Sequence, residues 1–244
     1  MHYLYTTFIY EPLYNGLMFL AGHLPFLDAG VIIILFTIIV KILLFPLSRK
    51  AARTQIAMKM YEPEMNAIKE KHKDDKQAQA VQVMAFYKAK KINPFSSIFL
   101  ILIQLPIFFA LYKVFYSSGL SAPDASILYS FVKVPESVDM NFLGLIDIGA
   151  KSAVLAVLAA VSQFFQIKLS MPAAAPKTGK GGFQEDFAHS MQTQMKYVFP
   201  IMILFIAYHV AAALALYWVT SNLFMIGQEI VVKRQMAKTR EIKA

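Results

Sequence analysis

The sequence predicts an all-α, polytopic membrane helix bundle of five transmembrane helices with a cytoplasmic helical hairpin. Three observations predict it. Of the 244 residues, 57% are hydrophobic and only 16% are charged, where a soluble domain averages about 45–50% and about 25%. The uncharged residues fall into runs long enough to cross a bilayer. The basic residues that remain are gathered between those runs on one side. The chain has no cysteine, so disulfides, thiolate metal sites and cysteine nucleophiles are excluded.

A spanning helix needs about 20 mostly apolar residues. Within residues 1–28, the stretch 3–22 is apolar but holds Glu11, Pro12 and Asn15. It reads as an amphipathic helix in the outer interface, with a sixth span as the competing reading. Residues 29–48, AGVIIILFTIIVKILLFPLS, form the first span, interrupted by one charge, Lys41. Residues 49–93 are polar. Met58, Tyr61, Met65 and Ile68 recur at helical spacing, and Val81, Met84 and Tyr87 repeat the pattern after the polar bend at His72 to Lys76. This predicts two helices folded back as a cytoplasmic hairpin.

Residues 94–116 form the second span, with Pro106 expected to kink it. An outer loop at 117–141 precedes the third span, 142–168. The cytoplasmic loop 169–196 contains a Pro-, Gly- and Ala-rich linker. Residues 197–228 then carry no charge over 32 positions. As one helix they would measure about 48 Å, against a hydrocarbon core of about 30 Å. They divide into span 197–210 and span 213–232, joined by a turn near His209 to Ala213 that no Gly or Pro marks. A basic tail, 233–244, ends the chain.

Charge fixes the orientation. With the N-terminus outside, the cytoplasmic segments hold 20 of the 24 basic residues and the outer segments hold 2, Lys133 and Lys151. That is the positive-inside pattern, with a cytoplasmic C-terminus. It accounts for the net charge of +9 without DNA binding.

Polar residues inside the spans are the candidate site. A mid-bilayer charge costs about 2.5–3.5 kcal/mol on insertion scales, which makes Lys41 a functional candidate. A lysine snorkelling to the inner boundary is the bland alternative. Thr37 and Ser48 share its face. Ser97 and Gln104 share a face of the second span. Ser162, Gln163 and Gln166 cluster on the third, and Trp218, Ser221 and Asn222 on the last, with Gln228 two turns beyond Ser221. No acidic residue is placed centrally in any span, so Lys41 is expected to need water or polar side chains around it. A hydrated, positively charged cavity open to the cytoplasm is the simplest arrangement. For Ser97 and Ser162, hydrogen bonding that holds the bundle together is the favoured reading.

Catalytic signals are absent. His2, His23, His72, His189 and His209 make no HExxH or other metal spacing. There is no GxSxG elbow and no GxxxxGK[ST] loop. Neither an enzyme, a cofactor nor a metal is expected.

Several segments carry a resemblance to a known family. They are IIVKILLFPL (38–47), KMYEPEMNAIKEKHKDD (59–75), YKAKKINPFSSIFLILIQLPIFFALY (87–112) and LALYWVTSNLFMIGQE (214–229). In order and spacing they resemble the YidC/Oxa/Alb family of membrane protein insertases, in its short bacterial form. The resemblance implies a single domain over 1–244 that moves hydrophobic segments of nascent proteins into the bilayer without ATP. It implies a plasma-membrane location, with nascent membrane proteins as clients and the Sec translocon and the ribosome as partners. It also implies a groove in which Lys41 stands where the family typically carries an arginine, keeping the charge but losing the planar fork. Trp218 and Gln163 or Gln166 resemble other groove positions. The family's Pro- and Gly-containing turn between the last two spans is replaced by His209 to Ala213. The sequence also lacks the family's optional N-terminal anchor and large periplasmic domain. A non-translocating assembly chaperone and a small-solute transporter or channel stay open as alternatives. The transporter would favour inverted repeats and paired intramembrane acids, and neither occurs in the sequence.

Overall fold

A computed structural model of the chain describes residues 2–93, 96–117, 120, 123–133, 135, 137–170, 190 and 193–241. The predicted linker within 169–196 lies outside the described residues. Among the described residues the fold is helical almost throughout, with one two-stranded antiparallel ribbon.

The chain opens in helix. His2–Tyr5 (α1), a π-helical turn over Thr6–Tyr10 and Glu11–His23 (α2) follow without a break. The π-turn ends just before Pro12, which has no N–H to give to a regular ladder. Tyr10, Tyr14, Leu17, Met18 and Ala21 recur at three- and four-residue spacing and are buried. Asn15, one of the residues that interrupt this stretch, and Tyr14 hold the loop after the second predicted span. Asn15 Nδ2 donates to the Ile127 carbonyl (2.9 Å), and its Oδ1 accepts from the Tyr129 N–H (2.6 Å). The Tyr14 hydroxyl accepts from the Asp124 N–H at 2.6 Å.

The first predicted span is shorter than the uncharged run. Helix α3 covers Ala29–Leu43 and begins at an Asp28 cap, whose Oδ1 accepts from the Val31 N–H (2.9 Å). It stops at Leu44 because Pro46 cannot donate to the ladder. Helix α4, Phe45–Met60, leaves at 71° to α3. The expected single span over 29–48 is therefore corrected to a helix of 15 residues followed by a bend.

The polar region folds as Glu62–Lys71 (α5), a turn, and Lys76–Ala89 (α6). Asp75 caps α6 by accepting from the Gln77 and Ala78 N–H groups. The two helices meet through the Tyr87 hydroxyl on Met65 Sδ (2.8 Å), an edge-on Tyr61–Phe86 contact and a Lys90–Glu64 ion pair (2.8 Å). Burial pushes the Tyr87 phenol above its ordinary pKa. One detail departs from expectation. Val81 and Met84 point outward, 61% and 53% exposed, so the α6 stripe is split and only part of it packs on α5.

Helix α7, Ser96–Ser117, runs through Pro106. The third predicted span starts later than expected. Residues 142–147 belong to a ribbon, Asn141–Phe142 (β1) paired with Ile146–Asp147 (β2). Its turn holds Leu143 and Gly144 at positive φ. Helix α8 covers only Ala153–Ser170. A π-turn at Gln194–Val198 leads into α9, Phe199–His209. The helix breaks at Val210, whose backbone is extended, inside the predicted turn. The expected Gly or Pro is replaced by anchoring from outside. The Ala212 and Ala213 N–H groups donate to the Ala150 and Ile148 carbonyls at 2.8 and 3.0 Å, which serves a helix start that has no side-chain cap. Helix α10 then runs over Ala212–Glu241. The last predicted span and the start of the basic tail are thus one helix about 45 Å long.

Small residues set the packing. Ala156 and Ala159 on α8, Ala207 on α9 and Ala212, Ala213 and Ala215 on α10 are fully or almost fully buried, where α8 packs on both α9 and α10. Small side chains let apolar helices approach closely, which matters where lipid removes the hydrophobic drive between them. Among the described residues, Ala153–Ser170 alone is long and apolar enough to cross a bilayer, and α3 with α4 passes only as a bent pair.

The ribbon locks onto α3 at Gly30, where an added Cβ would lie 2.2 Å from the Phe142 ring. Gly30→Ala is expected to cost about 1–3 kcal/mol through overpacking. Thermal unfolding in detergent should show the midpoint falling by several degrees, at about 2–4 °C per kcal/mol for a chain of this size.

Candidate functional site in the polar seam

Four helices bring the polar residues of the predicted spans together, because α10 packs against α3, α7 and α8. Lys41 is on α3, one turn after Thr37. It is 9% exposed, and its Nζ donates to Gln104 Oε1 on α7 at 2.8 Å. The Gln104 amide in turn donates to the Tyr217 hydroxyl on α10. A cation, an amide and a phenol from three helices thus form one chain. Lys41 makes no ion pair among the described residues, whose two salt bridges both lie in the hairpin. Its charge is compensated by an amide oxygen rather than by a carboxylate.

The next residue, Trp218, is turned about 100° from Tyr217 on the same helix and faces α8. Its Nε1 donates to Gln163 Oε1 (2.9 Å), and the Phe108 ring meets it edge-on with centroids 5.3 Å apart. From there a ladder descends the α8–α10 boundary. Gln163 Nε2 donates to Gln166 Oε1 (3.2 Å), Gln166 Nε2 to Ser170 Oγ (3.0 Å), and Ser170 Oγ to Glu229 Oε2 (2.5 Å). Asn222 Nδ2 donates to Ser162 Oγ at 3.1 Å. Gln228 Nε2 donates to Ser48 Oγ at 2.9 Å.

The residues singled out in the sequence therefore fall into two clusters. Lys41 and Gln104 form the first. Gln163, Gln166 and Trp218 form the second, with Asn222 on Ser162 beside it. Ser221 is buried on α10. Thr37 joins neither cluster, since its hydroxyl donates to the Ile33 carbonyl of its own helix (2.6 Å). The side chain of Ser97 lies outside the described residues. Three participants went unnoticed in the sequence: Tyr217, Ser170 and Glu229. Tyr217 sits beside Trp218 in LYWVTSN and could have been taken with it. Glu229 ends the longest uncharged run, where a charge reads as a boundary rather than a partner.

Chemically, this is a set of amide, hydroxyl and ammonium groups that satisfy one another between apolar helices. Such groups can exchange partners with the polar groups of an entering chain at little cost, since each bond broken is replaced. Among the described residues no cluster of His, Asp or Glu could hold a metal.

Residues 20–239 match the family model described as 60Kd inner membrane protein. The chain is 35% identical over 212 residues to a protein of Clostridium tetani named Membrane protein insertase YidC, covering 86% of this chain and 84% of that relative. A protein of the same name from Fusobacterium nucleatum is 33% identical over 208 residues, covering 85% of this chain and 87% of its own length. Another from Rickettsia rickettsii is 30% identical over 239 residues, which is 93% of this chain but 39% of that longer relative.

Proposed function

Since this chain belongs to the 60Kd inner membrane protein family, and its relatives carry the name membrane protein insertase, we propose that it moves hydrophobic segments of nascent proteins into the bilayer. The observation that carries this reading is Lys41, a buried cation with an amide partner and no counter-ion among the described residues. In our reading the chain crosses the plasma membrane five times, with its N-terminus outside and the α5–α6 hairpin and the end of α10 in the cytoplasm. The polar seam opens as a groove toward the cytoplasm.

An ammonium held among amides attracts an acidic client tail without a carboxylate to compete for it. The tail then needs to cross only the part of the bilayer that the seam does not hydrate. The client's apolar segment leaves sideways into lipid, gaining about 25 cal/mol per Å² of apolar surface removed from water. Val81 and Met84, exposed on α6, are suited to meet such a segment first, methionine being adaptable to varied apolar shapes. The ribosome and the Sec translocon are the partners this reading adds. The basic end of α10 supplies charge for ribosomal phosphate.

The test is reconstitution in liposomes with a single-span client bearing an acidic N-terminal tail. The readout is the fraction of tail protected from added protease. Protection above empty liposomes supports insertion. Client binding without protection would replace this reading with an assembly chaperone, and solute flux through the protein alone would replace it with a transporter.

A further inference from the structure

The Gln163–Gln166 ladder continues past the residues assigned to the groove and ends on a buried acid. Glu229 is 9% exposed and takes the Ser170 hydroxyl at 2.5 Å. Lys59 and Lys233 are the cations whose charge reaches it. Lys59 is on α4 and also donates its Nζ to the Leu169 carbonyl in the last turn of α8 (3.1 Å), where a cation suits the helix dipole.

These bonds fix where α4 lies. Near its start, Ser48 bonds Gln228. Eleven residues later, about 16 Å along the helix, Lys59 bonds Leu169. Gln228 adjoins Glu229, and Leu169 adjoins Ser170, so both ends of α4 are tied to one level of the α8–α10 pair. Between them Ala52 and Ile56 pack on Val232. A helix tied at both ends to one level lies across the bundle, as its 71° turn away from α3 requires.

We propose that Lys59, Ser170 and Glu229 are positioning residues that clamp α4 across the hairpin end of the polar seam and set how readily Thr37 and Lys41 are reached from that side. Breaking the clamp frees α4 and the end of α8 together. This rests on the insertase reading only in its purpose, because a client must pass the clamp to reach Lys41.

The chain has no cysteine, so Thr37→Cys provides a single reporter whose site is buried and whose native hydroxyl bonds only its own helix. The full chain carrying it is placed in nanodiscs without client and treated with a membrane-impermeant maleimide. Slow labelling is expected, accelerated about tenfold by Lys59→Ala or Ser170→Ala, since a hydrogen bond to a charged group is lost. Glu229→Ala should do the same. Lys59→Arg, which keeps a donor for Leu169, and Glu229→Gln, which keeps an oxygen for Ser170, should stay close to the parent rate. Equal labelling across the set, with only thermal stability changed, would reduce these residues to structural glue and overturn the proposal. Fast labelling of the parent would overturn it too. If labelling responds as expected but no client is inserted in liposomes, the clamp stands and the insertase reading falls.

Discussion

Lys41→Ala is expected to lower the protease-protected fraction of an acidic client tail by about tenfold in reconstituted liposomes, with the protein still folded. The cause is electrostatic. Two opposite charges about 4 Å apart attract by about 1 kcal/mol in bulk water and by about 4 kcal/mol at the effective dielectric near a protein surface. A tenfold change needs only about 1.4 kcal/mol, so even a well-hydrated seam leaves a measurable effect. The side chain is buried against Gln104 and pairs with no carboxylate among the described residues, so its charge is not already compensated by an acid. Lys41→Arg keeps the charge and should retain most of the activity, whereas Lys41→Gln keeps polarity alone and should resemble alanine. A client whose tail carries no acid should be insensitive to all three substitutions. Full protection with Lys41→Ala would reduce this residue to a lysine that merely snorkels.

What the sequence made legible was periodicity and company. The face shared by Lys41 and Thr37, and the polar groups on the other predicted spans, were visible because helical geometry places such residues together before any partner is known. The pairing across helices was not. Nothing in the sequence ties Gln104 to Lys41 rather than to Trp218, since that choice depends on how α7 and α10 are rotated about their axes. Helix ends were misplaced where hydropathy and backbone geometry disagree. Residues 44–48 are apolar enough to continue a span, yet Pro46 turns the chain. Phe142 and Ile146 are equally apolar, yet they pair in a ribbon, and Ile148 and Ala150 just after it supply the carbonyls capping α10. That capping explains why the turn at Val210 manages without Gly or Pro. The hairpin illustrates the opposite limit. Its spacing located both helices, but Val81 and Met84 face away from α5, because three- and four-residue spacing identifies a face and not what covers it.

The bond between Lys41 and Gln104 makes stability and function separable. Gln104→Leu removes the oxygen that accepts from Nζ and the donor to Tyr217, leaving a buried ammonium with no partner among the described residues. Removing one member of a buried charged interaction typically costs about 3–5 kcal/mol, because the other is stranded, whereas replacing both by apolar groups of similar size is often close to neutral. Gln104→Leu should therefore melt well below the parent in detergent. Lys41→Met should fall less, since the glutamine it leaves is uncharged and still bonded to Tyr217. The double variant Lys41→Met, Gln104→Leu should recover much of the loss caused by Gln104→Leu alone, giving a coupling term of about 0.5–3 kcal/mol. It should nevertheless stay inactive toward the acidic tail, because the charge is gone. Additive melting losses would mean that the ammonium finds water when its amide is removed, placing Lys41 in a hydrated cavity even at rest. A double variant that is both stable and fully active would remove Lys41 from the mechanism and leave the α8–α10 ladder as the remaining polar surface for a client.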